Sequence, residues 1–130
     1  CCSNGTTPYG YDLRDGEDNA GVYFGNYSTN LFAQRAVSII NGHNATIPLF
    51  LYVAFNAPHA PVLVETEFEK TTAYTNLTSN IPWSKRKTYA GAIYLIDRAV
   101  GWITDELASR DMMQDVVVVV SSDNGAPSSA

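Results

Sequence analysis

The chain has 130 residues, of which 45% are hydrophobic and only 16% charged, so its composition is that of a globular domain and not of a disordered protein. Its net charge of −5 excludes a nucleic-acid binder that relies on electrostatics, because no stripe of Lys and Arg is available to neutralise phosphates. No apolar run approaches the roughly 20 residues that a membrane-spanning helix needs.

The first part of the chain predicts a loop followed by one helix. Residues 1–27 are rich in Gly, Tyr, Asn and Asp, which indicates loop, with a short strand near Val22–Phe24. Any of the residues Ser28–Asn30 is a good N-cap for the helix that follows, and Gly42 is a suitable residue to end it. The apolar residues that share one face of this helix are Phe32, Ala36, Ile39 and Ile40.

Two apolar strands, separated by a long connection and a second helix, are predicted next. The apolar run 49–55, bounded by prolines, predicts a buried strand, and residues 56–86 predict a long loop with a helical turn at Glu65–Lys70. An amphipathic helix begins at about Lys87, and the valine run 116–120 predicts a second buried strand. The core-facing stripe expected on this helix consists of Ile93, Ile96, Val100, Ile103 and Leu107.

A strand–helix–strand unit with two wholly apolar strands predicts an α/β fold with a parallel strand pair and a right-handed crossover. The carboxyl ends of parallel strands lie at one edge of the sheet, which is where ligands bind in open α/β sheets. His59 follows the first strand, and Asp123 and Asn124 follow the second. Each feature alone is common in ordinary turns. We predict that they meet at one rim, where the acid–amide pair supplies hard oxygen ligands for a divalent cation such as Ca²⁺.

Three features of the sequence bear on the environment and extent of the protein. Adjacent cysteines such as Cys1 and Cys2 seldom bridge each other, so we expect any disulfide partner outside this chain. The sequence begins without an initiator Met and ends shortly after Asp123-Asn124-Gly125, so we interpret residues 1–130 as an internal part of one larger domain. Asn-x-Ser/Thr sequons exceed the about one or two expected by chance and favour a glycoprotein of the secretory route. The sequon asparagines are Asn4, Asn26, Asn44 and Asn76.

Several stretches of the chain match a known family in its order and at about its spacing. They are Tyr11-Asp12-Leu13-Arg14-Asp15-Gly16-Glu17, Tyr27-Ser28-Thr29-Asn30-Leu31-Phe32, Pro48-Leu49-Phe50-Leu51-Tyr52, Tyr89-Ala90-Gly91 and Ser122-Asp123-Asn124-Gly125. By these stretches the chain resembles the sulfatases, most closely the arylsulfatase B-like group of the alkaline phosphatase superfamily.

The resemblance implies a parallel-sheet sandwich of the alkaline phosphatase and sulfatase type, of which this chain is one part. It implies a lysosomal or extracellular glycoprotein that uses Ca²⁺ to hydrolyse a sulfate ester, either an aryl sulfate or a sulfated glycan. Asp123 and Asn124 match Ca²⁺ ligands of the family, and His59 matches a catalytic histidine that contacts the substrate sulfate.

The family's nucleophile is a formylglycine made from the Cys of a Cys-x-Pro-x-Arg motif. Neither Cys1 nor Cys2 is followed by that pattern, so the resemblance places the nucleophile outside this chain, which alone should be inactive. Two alternatives stay open. One is a phosphohydrolase of the same superfamily with a Thr or Ser nucleophile and two zinc ions, and the other is a non-catalytic, secreted sulfatase-like binding protein.

Overall fold

The structure, a computed structural model, describes residues 13–125. This part of the chain is mainly helical and contains a single small hairpin. The helices are α1 (Ser28–Gly42), α2 (Thr66–Glu69), α3 (Thr72–Thr78) and α4 (Ser84–Ser109), and 3-10 helices span Gly21–Tyr23 and Met113–Asp115. The antiparallel hairpin pairs β1 (Arg14–Asp15) with β2 (Asp18–Asn19). None of the helices in residues 13–125 is long and apolar enough to cross a bilayer.

The core lies where α1 packs against α4. The fully or almost fully buried residues of α1 are spaced four, three and four apart, as expected for one helical face, and most are small. Small side chains let two helix backbones approach closely. The sequence therefore predicted this helix correctly, but its contact face differs from the expected one. The buried residues are Thr29, Ala33, Ala36 and Ile40, whereas Phe32 is only half-buried and Ile39 is exposed.

Helix α4 confirms the second predicted helix and begins slightly earlier, at Ser84. Of the predicted stripe only Leu107 is buried, and the other most buried residues are small residues and Leu95. Ile93 is 42% exposed, and Ile96, Val100 and Ile103 are half-buried. Helix α4 thus has one fully buried face and a second apolar face that is only partly covered in residues 13–125. The buried residues are Gly91, Ala92, Leu95, Ala99 and Leu107.

The two apolar segments are not paired as strands in the described part of the chain, so the predicted parallel pair is not formed there and stays a prediction. Neither 49–55 nor 116–120 joins a sheet there, and the Val22–Phe24 region forms a 3-10 helix in place of a strand. In 49–55 the odd-numbered residues are half-buried and the even-numbered ones exposed, which is the period of two typical of extended backbone. An extended segment becomes a strand only when a neighbour pairs with its N–H and C=O groups. Within residues 13–125 no such neighbour is present.

The long connection contains two short helices, and both contact α4. Helix α2 confirms the predicted turn at Glu65–Lys70, while α3 was not predicted. The ring of Phe68 is buried, stacks on Tyr94 of α4 at 4.8 Å between centroids and meets the edge of Tyr74 at 5.6 Å. A Cβ at Gly91 would lie 2.8 Å from the Tyr74 ring, so this close approach requires glycine.

Candidate functional site

His59 lies in a tight, exposed turn directly after the extended segment 49–55. Its backbone N–H donates to Asn56 O at 3.0 Å, and its Nδ1 lies 2.7 Å from Ala60 O. A carbonyl oxygen only accepts hydrogen bonds, so Nδ1 carries the proton in this contact. Nε2 is therefore the ring nitrogen available to a ligand. The peptide bonds preceding Pro58 and Pro61 are both cis.

Asp123 and Asn124 lie in a second exposed turn, which follows the valine run. The turn is closed by its own side chains. Asn124 N–H donates to Asp123 Oδ1 at 2.9 Å, Asn124 Nδ2 donates to Gly125 O at 3.0 Å, and Ser122 Oγ donates to Asn124 O at 2.5 Å. Within residues 13–125, Asp123 Oδ2 and Asn124 Oδ1 accept no hydrogen bond. These two oxygens are of the hard type that Ca²⁺ prefers.

These two oxygens fit a divalent cation as a partial ligand set only. Ca²⁺ takes about six to eight oxygen ligands, so further donors are needed. Among the described residues no group of three or more His, Cys, Asp or Glu side chains is placed to hold a metal ion. No hydrogen bond or ion pair in residues 13–125 joins His59 to Asp123 or Asn124. Their meeting at one rim therefore stays a prediction.

A polar cluster that was not predicted from the sequence lies at Glu65, at the end of the segment 56–65 that carries His59. Arg98, in the middle of α4, donates through Nη2 to Glu65 Oε2 at 3.0 Å and to Asn30 Oδ1 at 3.1 Å. The side chains of Arg98 and Glu65 are only 30% and 29% exposed. The guanidinium lies over the Phe68 and Trp102 rings, at 5.7 and 5.0 Å from their centroids. The signal available in the sequence was an arginine between buried Leu95 and Ala99.

Tyr27 adds a second contact between the N-terminus of α1 and the same segment. Its hydroxyl donates to Leu63 O at 3.0 Å. Burial of the phenol raises the pKa of Tyr27 above its ordinary value of 10.0, and the negative charge of Glu65 raises it further. The hydroxyl therefore keeps the proton that it donates.

The predicted glycosylation sites within the described residues are all exposed. Asn44 Oδ1 accepts from Thr46 N at 3.1 Å and from Thr46 Oγ1 at 2.9 Å, which closes a loop turn over this sequon. Asn26 donates to Tyr23 O at 3.0 Å, and Asn76 lies in α3. The remaining predicted asparagine, Asn4, lies outside the described residues, as do Cys1 and Cys2.

Comparison with known proteins gives a consistent result over nearly the whole chain. A family model described as Sulfatase matches residues 2–130. Arylsulfatase J of Mus musculus is 33% identical over 123 residues, which are 93% of this chain and 19% of that protein. N-acetylgalactosamine-6-sulfatase of Mus musculus is 34% identical over 99 residues, covering 75% of this chain and 17% of that protein. The human protein of that name is 30% identical over 115 residues, covering 88% and 18%.

The chain thus spans about a fifth of the length of the curated relatives it matches. No solved structure matches it.

Proposed function

Since the chain belongs to the sulfatase family, we propose that it is an internal part of one catalytic domain that hydrolyses sulfate esters. The observation that carries this proposal is the family match over residues 2–130. The two exposed turns support it, because each presents side chains suited to one half of the chemistry. One offers an imidazole nitrogen, and the other offers carboxylate and amide oxygens.

His59 is proposed as the catalytic residue of this part of the domain. Its Nδ1 proton is engaged by Ala60 O at 2.7 Å, so the ring contacts the substrate sulfate through Nε2. In the imidazolium form Nε2 donates a hydrogen bond to the ester oxygen that leaves, which stabilises the negative charge developing there. The Ala60 carbonyl fixes the orientation of the ring, because it accepts from the opposite nitrogen.

Asp123 and Asn124 are proposed as ligands of a divalent cation, for which Ca²⁺ is the best fit to their hard oxygens. Sulfatases are in general metal-dependent. Asp123 and Asn124 would hold such a cation, which would supply Lewis acidity toward a sulfate oxygen. The remaining ligands and the formylglycine nucleophile are proposed to lie in parts of the domain outside this chain, so the isolated chain is expected to be inactive.

The proposed domain is an α/β sandwich with a parallel sheet, in which 49–55 and 116–120 are neighbouring strands. Their apolar side chains support this proposal, because Phe50 is 91% and Val117 is 87% exposed in the described part of the chain. Apolar side chains exposed in such numbers are rare on a finished protein surface. Strands from the rest of the domain would satisfy the backbone, and further helices would cover the outer face.

The protein is also proposed to follow the secretory route to a lysosomal or extracellular destination. The exposed sequon asparagines Asn26, Asn44 and Asn76 support this. The substrate class is a sulfate ester of an aryl alcohol or of a glycan.

The test uses the complete protein, assayed on a chromogenic aryl sulfate and on the matching aryl phosphate. His59→Ala should lower kcat on the sulfate by about 100-fold or more, as expected for a lost proton donor. His43→Ala is the matched control, since this half-buried histidine binds only Ile47 O through its ring in residues 13–125. A chelator should abolish turnover, and added Ca²⁺ should restore it.

Three results would contradict the proposal. Unchanged turnover in His59→Ala would remove this residue from the site. Preference for the phosphate ester would favour the phosphohydrolase alternative. No turnover of either ester by a folded, complete protein would favour the binding-protein alternative.

A further inference from the structure

Residues at the N-terminus of α1 form hydrogen bonds with the segment 56–65 near both of its ends. Ser28 Oγ donates to Asn56 Oδ1 at 2.8 Å, where the segment begins. Tyr27, the N-cap residue of α1, donates through its hydroxyl to Leu63 O at 3.0 Å, close to where the segment ends. Both donors are neighbours in sequence and sit on the same helix terminus, so they fix the two ends of the segment relative to each other.

Further hydrogen bonds hold Glu65, the last residue of the segment. Asn30 Nδ2 donates to Glu65 Oε1 at 2.8 Å, and Arg98 Nη2 donates to both partners, to Asn30 Oδ1 at 3.1 Å and to Glu65 Oε2 at 3.0 Å. The charged hydrogen bonds between half-buried partners are stronger than neutral ones. The end of the segment is therefore held to both α1 and α4.

These contacts are the hydrogen bonds that reach from 56–65 to the two long helices within residues 13–125. Thr29, which lies between Ser28 and Asn30, is fully buried, so this end of α1 is packed into the protein. The motif that begins at Tyr27 is one of the stretches by which the chain resembles the family, and the roles proposed so far leave it unused.

We propose that Tyr27, Ser28, Asn30 and Arg98 are positioning residues that set the location of the His59 imidazole. The inference rests on the proposed function of His59. The ring is hydrogen-bonded to Ala60 O within the same segment, so a displacement of the segment also displaces the ring. Displacing a catalytic group by about 1 Å can lower the rate by about 100-fold.

The test compares two double variants of the complete protein. Tyr27→Phe with Ser28→Ala removes only the two hydroxyls that donate hydrogen bonds to the segment 56–65. Tyr23→Phe with Ser38→Ala is the matched control, because both of these residues are exposed. The first pair should lower kcat on the aryl sulfate by about tenfold or more and change KM by less than about threefold, whereas the control should change neither. Thermal unfolding of both proteins verifies that they are folded.

The same pair is then introduced into the His59→Ala protein. If the hydroxyls act through His59, they should lower the residual kcat by less than about twofold in that background. A loss equal to that seen with His59 present would mean a general structural effect and would overturn the positioning role. No loss in either background would overturn it as well.

Hydrogen exchange gives a readout that is independent of turnover. The amides of 56–65 should exchange about tenfold faster in the Tyr27→Phe and Ser28→Ala protein than in the control, while those of α4 are unchanged. Unchanged exchange in the segment would overturn the inference. If His59→Ala leaves turnover intact, the proposed function fails. Faster exchange in the Tyr27→Phe and Ser28→Ala protein would then still show that the two hydroxyls hold the segment in place.

Discussion

The α1–α4 layer and the two extended segments differ in how far their apolar side chains are exposed to solvent. In the helical layer Leu95 and Ala99 are fully buried. In the extended segments Phe50, Val117 and Val119 are largely exposed, although all three are hydrophobic. The difference does not come from composition. It comes from how each kind of backbone satisfies its hydrogen bonds.

A helix pairs its N–H and C=O groups within itself, so two helices need only each other to bury a face. An extended segment pairs with a neighbour and has two faces to cover. Helices α1 and α4 therefore bury a face against each other within residues 13–125. We expect 49–55 and 116–120 to need further strands of a larger domain. Three measurements on the complete protein test this difference.

The largest effect is expected from Val119→Asp. This side chain is 80% exposed in the described part of the chain, but we expect the sheet of the complete protein to bury it. Burying a carboxylate there should lower the free energy of unfolding by more than about 3 kcal/mol and reduce the soluble yield. Urea denaturation measures the loss. Val22→Asp, at a residue 85% exposed and outside both segments, is the control and should change stability by less than about 0.5 kcal/mol. Equal losses of stability in the two variants would mean that the complete protein does not bury Val119.

The two faces of α4 provide the next measurement. Leu95→Ala opens a cavity in the α1–α4 core and should lower the free energy of unfolding by about 2–5 kcal/mol. Ile93→Ala lies on the partly open face, and a covering sheet should raise its effect to about 2 kcal/mol in the complete protein. Denaturant midpoints at equal slope compare the two variants. An effect below about 1 kcal/mol for Ile93→Ala would mean that this face stays open to solvent.

The smallest effect concerns Tyr27 and pH. Because burial raises the pKa of Tyr27 above 10.0, the folded protein holds the phenol proton more tightly than the unfolded chain does. The resulting stability is fully present below pH 10 and is lost as the pH rises through the raised pKa. The stability advantage of the native protein over Tyr27→Phe should therefore shrink above pH 10, as measured by urea denaturation at several pH values. An advantage that grows with pH would contradict this.

Much of the helical layer could be predicted from the sequence. Both long helices appear where the apolar period of 3.6 residues places them, because helical periodicity is a local property. The turn at Glu65–Lys70 was predicted correctly for the same reason. The face that each helix buries was not predicted, since the apolar period alone does not reveal that alanines are among the most buried residues of α1 and α4. The proposed site could be named from motifs, but its assembly depends on strand pairing that residues 13–125 do not contain.

Local sequence patterns are sufficient to predict the helices, the extended apolar runs and the family. The residues that hold the segment 56–65 are known only from the packed structure. Ser28 and Asn56 are 28 residues apart, and Asn30 and Arg98 are 68 apart. No local pattern relates such residues, because their contact exists only once α1 and α4 have packed and brought one helix terminus over the ends of a distant loop.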